Sequence, residues 1–406
     1  MSGTFHFGRH EQTNKNTQKL NTLKIVFVST MFSVPWGGSE ELWSQTALRL
    51  HQAGNTVSGS VVWWPQLSPK VLELEKHGIS IFVRKPEQHN LPVRLWHKVK
   101  RRFLAEGKKE LRWLRLQKPD LVVISQGGNT DGMECMKFCA HVGLPFIAIV
   151  HCNTEGWYPD DIRSMEMAGA YGSARKVFCV SQHNLKLLER QIGEKLPDAS
   201  VVWNPCNVPS GQPPAWPKDN GVWRMACVAR LDPVSKGQDL LFQVLAQKQW
   251  QERPVEINLY GSGTSERNLK KLAWNLQLKN VHFRGHVTNV KAIWEENHLL
   301  VLPSRYEGLP LALVETMWCE RPAVVTDVGG NAEMCMDGET GFVADAPAVK
   351  PLAETLERAW NRRNEWEKMG KAARVRAEQL IPKDPIGIFC QQLVELGESR
   401  NRKAKN

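Results

Sequence analysis

The sequence contains no long apolar run. Across its 406 residues, no stretch reaches the ~18 consecutive apolar residues that are needed to cross a bilayer. The first 22 residues are polar and lack the apolar segment of a signal peptide. These absences predict a cytoplasmic protein that neither spans a membrane nor carries a cleavable leader.

Cysteine is sparse and follows no ligand pattern. The nine cysteines are spread along the chain, most of them in apolar runs such as KVFCVS and RMACVA, which is typical of buried thiols in a reduced compartment. Cys135 and Cys139 are the one close pair, and no second pair or histidine cluster completes a metal-finger spacing. We therefore expect no disulfide framework, no metal site and no cofactor.

Acidic residues are outnumbered, but the excess of positive charge is local. The 53 Lys and Arg against 42 Asp and Glu give a net charge of +11, which raises nucleic acid, anionic membranes and phosphorylated substrates as partners. Residues 1–24, 94–118 and 399–406 carry +3, +8 and +4, so the rest of the chain carries −4. Helix-turn-helix, zinc-finger and aromatic RNA-binding motifs are also missing, and we expect no nucleic-acid partner.

The basic segment 94–118, RLWHKVKRRFLAEGKKELRWLRLQK, combines ten Lys or Arg with Trp, Phe and Leu. Such a stretch can lie on an anionic membrane surface, which would place the protein peripherally at the inner face of the cell membrane. It can equally be a solvated helix that packs on a sheet through its Leu and Trp residues. The sequence leaves both alternatives open.

Short β-branched runs alternate with segments of helical length along the whole chain, which predicts an α/β fold of two doubly wound Rossmann-like domains. We expect a disordered basic tail (1–22), a first domain (23–206), a Pro- and Gly-rich linker (207–221), a second domain (222–382), a C-terminal helix (383–398) that could cross back to the first domain, and a basic tail (399–406). The predicted strands are 23–30, 57–64, 79–83, 120–125, 145–150, 176–181 and 200–204, then 223–229, 255–261, 281–285, 298–304, 322–327 and 341–345.

Open parallel sheets bind ligands at the carboxyl ends of their strands, so two such domains facing each other predict a ligand cleft. The loop after the first strand holds Gly37 and Gly38 and leads into a helix, an arrangement that lets backbone amides approach an anion. A plain tight turn before a helix is the alternative.

The corresponding loop of the second domain reads ARLDPVSKGQDLL. Arg230 and Lys236 could clamp a diphosphate from the two ends of this loop and stabilise a leaving group without a metal. The alternative is a solvated basic loop. The following glycine-rich segment, GSGTSE (261–266), lacks a third glycine, and we interpret it as structural.

Two carboxylates follow a strand in the run EGLPLALVE. Glu307 comes directly after the strand, and Glu315 lies eight residues further along the next helix, so both could line one cleft wall. Two carboxylates also admit a hydrolase acid and base pair.

Taken together, GGSEE, IVHCN, ARLDPVSKG, EGLPLALVE and VGGNAE resemble the motifs of family 4 of the retaining glycosyltransferases, also called group 1, which adopt the GT-B fold. The resemblance covers roughly residues 23–398 and is most specific in the second domain. It implies a nucleotide-diphosphate-sugar donor and a glycan or lipid-linked acceptor. The commonest role among similar proteins is the assembly of cell-surface polysaccharide or lipopolysaccharide.

The resemblance also implies roles for particular residues. Gly37 and Gly38 would approach the donor through backbone amides. The side chains that would contact the donor are Arg230 and Lys236 at the diphosphate, Glu307 at the sugar hydroxyls, Glu315 at the ribose and His151 near the reacting carbon. Taken alone, His151 would more readily be interpreted as a core histidine.

The implied reaction transfers the sugar with retention of anomeric configuration and needs no protein nucleophile. The chain contains no Asp-x-Asp motif, and we expect the reaction to be independent of metal. Pro310 departs from the family pattern, where many relatives have a glycine. The alternatives are a GT-B-fold sugar-nucleotide epimerase or phosphorylase and, outside enzymes, a basic nucleic-acid-binding protein.

Overall fold

The computed structural model describes residues 22–403, apart from residues 33, 86–108, 207 and 209–210. The strands are β1 Lys24–Ser29, β2 Thr56–Val62, β3 Ser80–Arg84, β4 Leu121–Gln126, β5 Phe146–Val150, β6 Lys176–Cys179, β7 Ser200–Val201, β8 Trp223–Val228, β9 Val255–Tyr260, β10 Val281–Gly285, β11 Leu299–Leu302, β12 Ala323–Thr326 and β13 Gly341–Ala344.

The helices lie between these strands and after the last of them. They are α1 Gly38–Gln52, α2 Pro69–Lys76, α3 Lys109–Gln117, α4 Met133–His141, α5 Asp161–Gly172, α6 Gln182–Ile192, α7 Pro233–Lys236, α8 Gln238–Leu245, α9 Lys248–Glu252, α10 Glu266–Asn275, α11 Val290–Glu296, α12 Leu311–Trp318, α13 Asn331–Met334, α14 Val349–Asn361, α15 Trp366–Leu380 and α16 Pro385–Lys403, with a 3-10 turn at Arg363–Glu365.

The strands form two parallel sheets, each belonging to one α/β unit. The first sheet has the order β3-β2-β1-β4-β5-β6-β7 and the second has the order β10-β9-β8-β11-β12-β13. Every predicted strand segment overlaps an observed strand, and the predicted fold class is confirmed. The central strands are buried along their whole length, as in LVVISQ (β4) and FIAIV (β5), because helices cover both faces of each sheet.

Some strands are shorter than their apolar runs. The prediction for residues 176–181 ends as β6 at Cys179, because Ser181 leaves the strand to act as the N-cap of α6 and accepts a hydrogen bond from the Asn184 amide. The prediction for residues 200–204 shrinks to the two-residue edge strand β7, which has one neighbour and is followed by Pro205.

In both sheets the strand order reverses at the first strand of the unit. These switch points lie between β1 and β4 and between β8 and β11. At such a point the loops that follow the two neighbouring strands diverge, which leaves a crevice at the carboxyl edge. The two crevices hold most of the candidate site residues.

The C-terminal helix α16 packs on the first α/β unit. Phe389 is fully buried and meets Phe178 of β6 edge-on, with ring centroids 5.3 Å apart. Asp384 forms a 2.6 Å ion pair with Arg49 of α1, and Arg175 donates to the Leu396 carbonyl. The chain therefore leaves the first unit at β7, builds the second, and returns to the first.

The basic segment 94–118 lies largely outside the described residues, which include only its part from Lys109 onward. That part contains α3, where Leu111 and Leu114 are buried and Trp113 stacks on Phe82 with ring centroids 4.9 Å apart. The described helices do not include one that is long and apolar enough to cross a membrane.

Candidate active site

The first-unit glycine loop faces the second unit. Gly37 is the N-cap of α1, and Gly38 begins that helix. A Cβ added at Gly38 would lie 3.2 Å from Cδ1 of Leu311, the first residue of α12. The loop after β1 and the helix that follows Glu307 therefore approach each other across the cleft.

An ion pair joins two of the predicted residues at the switch point of the second sheet. Lys236 Nζ lies 2.6 Å from Glu307 Oε1, and only 17% of the lysine side chain and 7% of the glutamate side chain are exposed. The buried hydroxyl of Ser304 donates to the same carboxylate oxygen at 2.7 Å. Because Lys236 follows β8 and Glu307 follows β11, the fold places a cation and a carboxylate side by side at this switch point.

The Lys236 loop is held against the end of β11 by a close backbone contact. Gly237 has φ +64°, and a Cβ at this position would lie 1.9 Å from the Pro303 carbonyl oxygen. Only glycine therefore fits the approach that brings the lysine to Glu307.

Arg305 fastens the same loop from the other side. Its guanidinium forms two parallel 2.7 Å hydrogen bonds with the Asp239 carboxylate, and it also donates to the Pro233 carbonyl. Its backbone amide donates to the Ser235 carbonyl at 2.8 Å. The loop thus has little freedom to move away from Glu307.

Arg230 is placed differently from Lys236. Its side chain is 42% exposed, and its nearest acidic partner is Asp232 at 4.0 Å. The adjoining backbone is braced by the glycine-rich segment after β9, since a Cβ at Gly261 would come within 2.1 Å of the Ala229 carbonyl. This packing agrees with a structural role for that segment and leaves the guanidinium accessible to an anion.

His151 follows β5 and is buried. Its Nε2 atom lies 3.2 Å from the Ser125 hydroxyl at the end of β4, and Nδ1 has no hydrogen-bond partner among the described residues. Burial lowers the pKa of His151 to about 3, so the ring is neutral at physiological pH. A neutral imidazole can exchange hydrogen bonds with a hydroxyl but carries no charge.

The two units meet closely at His151. A Cβ at Gly308 would lie 1.8 Å from the His151 carbonyl oxygen, so glycine is required beside Glu307 as well. Burial raises the pKa of the neighbouring Cys152 thiol to about 12, with a further increase from the negative charge of Glu307 and a decrease from Lys236 and Arg230. The residue next to His151 therefore lies within electrostatic range of the three charged groups of the second unit.

Glu315 is buried one turn into α12. Its charge adds to the effect of burial in raising the pKa of Cys206 to about 12, which places the carboxylate near the segment that joins the two units. The structure thus brings together Lys236, Glu307 and the backbone of His151, and it places Glu315 further along the cleft wall.

Several residues of the site were not predicted from the sequence. Ser304 and Arg305 stand three and two residues before Glu307 in PSRYEG, and this position was the available signal. Asn184, fully buried in the first turn of α6, reaches across the cleft and donates to the Glu307 carbonyl at 3.4 Å. No local sequence pattern indicates a contact between residues 123 positions apart.

The two facing Rossmann-like units and the site between them define a protein of the GT-B fold. HepE of Anabaena, solved in complex with UDP, superposes with a TM-score of 0.69 at 18% identity and covers 93% of this chain and 100% of its own. Residues 212–376, most of the second unit, match the family of glycosyl transferases group 1.

Curated relatives align over part of the chain. A poly(ribitol-phosphate) alpha-N-acetylglucosaminyltransferase of Staphylococcus aureus is 27% identical over 131 residues, which are 32% of this chain and 26% of the relative. The capsular polysaccharide biosynthesis glycosyltransferase CapM of the same species is 26% identical over 139 residues, 34% of this chain and 36% of the relative. The aligned parts are thus less than half of each relative's length, and together with the family match they support the group 1 family.

Proposed function

We propose that the chain is a retaining, metal-independent glycosyltransferase of family 4, which transfers a sugar from a nucleotide-diphosphate donor to a hydroxyl acceptor. The observation that carries this proposal is the contact of Lys236 with Glu307 at the switch point of the second sheet, facing His151 of the first unit. A phosphate-binding cation and a sugar-binding carboxylate are adjacent there, as the reacting bond of a sugar nucleotide requires.

Each group has a distinct part in the proposed reaction. Lys236 and the more exposed Arg230 neutralise the departing diphosphate, and Glu307 accepts hydrogen bonds from the donor sugar. The amides at Gly37 and Gly38 approach the donor from the first unit, and Glu315 binds the ribose. His151 acts as a neutral hydrogen-bonding group beside the sugar, because burial disfavours its cation.

The proposed bond changes occur on one face of the sugar. The bond from the anomeric carbon to the diphosphate oxygen breaks, and its electron pair stays with the diphosphate. The acceptor oxygen forms a bond to the anomeric carbon on the same face, and its proton passes to the leaving oxygen. This sequence conserves configuration, and metal independence rests on the two cations that stabilise the leaving group.

We also propose that the acceptor is a glycan or lipid-linked precursor of cell-surface polysaccharide or lipopolysaccharide, bound by the first unit. The names of the capsular and poly(ribitol-phosphate) relatives support this assignment. The basic segment 94–118 would bring the enzyme to the anionic inner face of the membrane. Co-sedimentation with anionic but not with neutral vesicles would support that contact, and binding to neither would contradict it.

A thermal-shift screen against UDP-, GDP-, ADP- and dTDP-sugars tests the donor assignment. A donor at about 100 times its Kd stabilises the folded state by about 2.7 kcal/mol. Lys236→Met should lose the shift, whereas Lys248→Met, which removes a lysine that is 87% exposed on α9, should retain it. Donor-dependent stabilisation that is equal in both variants, or none with any sugar nucleotide, would contradict the proposal.

A further inference from the structure

A carboxylate of the second unit completes the N-terminus of a helix in the first. Glu333 of α13 accepts hydrogen bonds from the backbone amides of Gln182 at 3.1 Å and His183 at 2.6 Å. These are the first two residues of α6, an 11-residue helix. The contact therefore joins the two units, because the paired residues are 150 and 151 positions apart in the sequence.

The first amides of a helix have no partner within the helix. In α6 the third amide, that of Asn184, donates to the N-cap hydroxyl of Ser181 at 3.2 Å, inside the same unit. The first two donate to Glu333, which also places a negative charge at the positive end of the helix dipole. Local capping of α6 is thus partial, and the other unit supplies the rest.

The surroundings of Glu333 fit this contact. A Cβ at Gly330 would lie 3.0 Å from Cβ of Ser181, so the glycine lets the start of α13 approach the start of α6. Arg376 of α15 donates to the carbonyls of Glu333 and Met334 at 2.6 Å and 2.7 Å and fixes the short helix that carries the carboxylate.

The same region is connected to the candidate active site. Asn184 of α6 donates to the Glu307 carbonyl, and the Gly330 amide donates to the Gly308 carbonyl at 2.7 Å. Gly308 in turn lies against the carbonyl of His151. A shift of α13 away from α6 would therefore also separate Glu307 from His151.

We propose that Glu333 is a positioning residue that holds the two units closed by capping α6, and thereby sets the distance between His151 and the donor-binding side chains. The contacts of Glu333 support the closure itself. The effect of closure on catalysis rests on the proposed function. Because the proposed donor site is complete only when the two units are closed, weakening the cap lowers the binding-competent fraction and raises the apparent Kd for the donor.

Amide hydrogen exchange measures the cap without any substrate. In Glu333→Gln, exchange at Gln182 and His183 should become about 10-fold faster or more, because their amides lose a charged acceptor. The Asn184 amide, capped by Ser181, is the internal reference and should change less. Glu339→Gln removes an exposed carboxylate six residues away and is the matched control, with wild-type exchange at all three amides.

Two further measurements complete the test. Small-angle X-ray scattering of the donor-free Glu333→Gln protein should give a larger radius of gyration than the Glu339→Gln protein. If the wild-type protein transfers sugar, Glu333→Gln should raise the KM for the donor about 10-fold with a smaller change in kcat. If Glu333 had a purely structural role, Glu333→Gln would lower the unfolding midpoint. The difference in exchange between the Gln182 and His183 amides and the Asn184 amide would then stay as in the wild type, and so would the KM.

The outcomes separate this inference from the proposed function. Faster exchange and a larger radius in a protein that transfers no sugar would support the cap and refute the transferase. Normal exchange at Gln182 and His183 in Glu333→Gln, in a protein that does transfer sugar, would overturn the cap alone.

Discussion

Removing only one member of the Lys236–Glu307 ion pair should destabilise the protein and abolish donor binding at the same time. The two side chains are 17% and 7% exposed, so neither charge is well solvated once its partner is removed. In Lys236→Met the Glu307 carboxylate keeps the Ser304 hydroxyl as a donor but loses its counter-charge. The variant is therefore expected to bury an uncompensated anion.

The magnitude follows from the burial of the pair. Breaking a buried ion pair from one side costs about 3–5 kcal/mol, and the remaining Ser304 contact places Lys236→Met near 3 kcal/mol. Replacing both partners is close to neutral, so Lys236→Met with Glu307→Gln should lie within about 1 kcal/mol of wild type. Arg230→Met removes a 42% exposed cation 4.0 Å from Asp232 and should cost no more than about 0.5 kcal/mol.

Urea unfolding measures stability, and calorimetric titration with the nucleoside diphosphate of the donor that the thermal-shift screen identifies measures affinity. We expect Arg230→Met to lose donor affinity at nearly wild-type stability, Lys236→Met to lose both, and the double variant to regain stability without affinity. If Lys236→Met were as stable as Arg230→Met, the pair would contribute nothing to folding. Wild-type affinity for this nucleoside diphosphate in both single variants would refute the assignment of these cations to the diphosphate.

Three further predictions concern the site and its support. Because the pKa of His151 falls from its ordinary value near 6.5 to about 3 in the folded state, the unfolded chain binds the proton first, and stability is lost as the pH falls through this window. In His151→Asn that loss of stability should be smaller by up to ~1.4 kcal/mol per pH unit below pH 6.5. Urea titrations at several pH values measure it, and an equal dependence of stability on pH in both proteins would contradict the buried neutral ring. Gly237→Ala should destabilise the protein by about 2–4 kcal/mol and weaken donor binding, because its Cβ would meet the Pro303 carbonyl. Gly193→Ala, at φ +70° with open space around its Cβ, should destabilise it by only about 1 kcal/mol. Similar losses of stability in both variants would rule out the backbone clash. In urea unfolding, Phe389→Ala should destabilise the protein by about 3–5 kcal/mol, whereas Ile388→Ala, at a side chain that is 48% exposed, should cost less than about 1 kcal/mol. Equal effects would show that α16 does not anchor the first unit.

Much of the fold was predictable because buried parallel strands have a strong local signature. A strand such as FIAIV must be apolar along its whole length, since helices cover both of its sides, and glycine- or proline-rich turns separate it from its neighbours. The ends were less predictable because capping competes with strand pairing. Ser181, for example, lies in an apolar run but caps a helix.

The site was predictable as a set of residues and less so as a set of contacts. Loops that follow strands at a switch point carry the candidate side chains, and this rule applies to Arg230, Lys236 and Glu307. Direct pairing of Lys236 with Glu307 depends on where two loops 71 residues apart meet, and the capping of α6 by Glu333 depends on how two domains dock. Neither contact is encoded in a local sequence pattern.

The return of α16 to the first unit means that this unit is not a continuous piece of sequence. A fragment that ends at the linker would expose the side of β6 and α1 that Phe389 and Asp384 cover. Exchange of the second unit between related proteins therefore needs two crossover points, one before β8 and one before Pro385. A chimera joined only at the linker would import a foreign terminal helix and break the Arg49–Asp384 and Phe178–Phe389 contacts of its first unit.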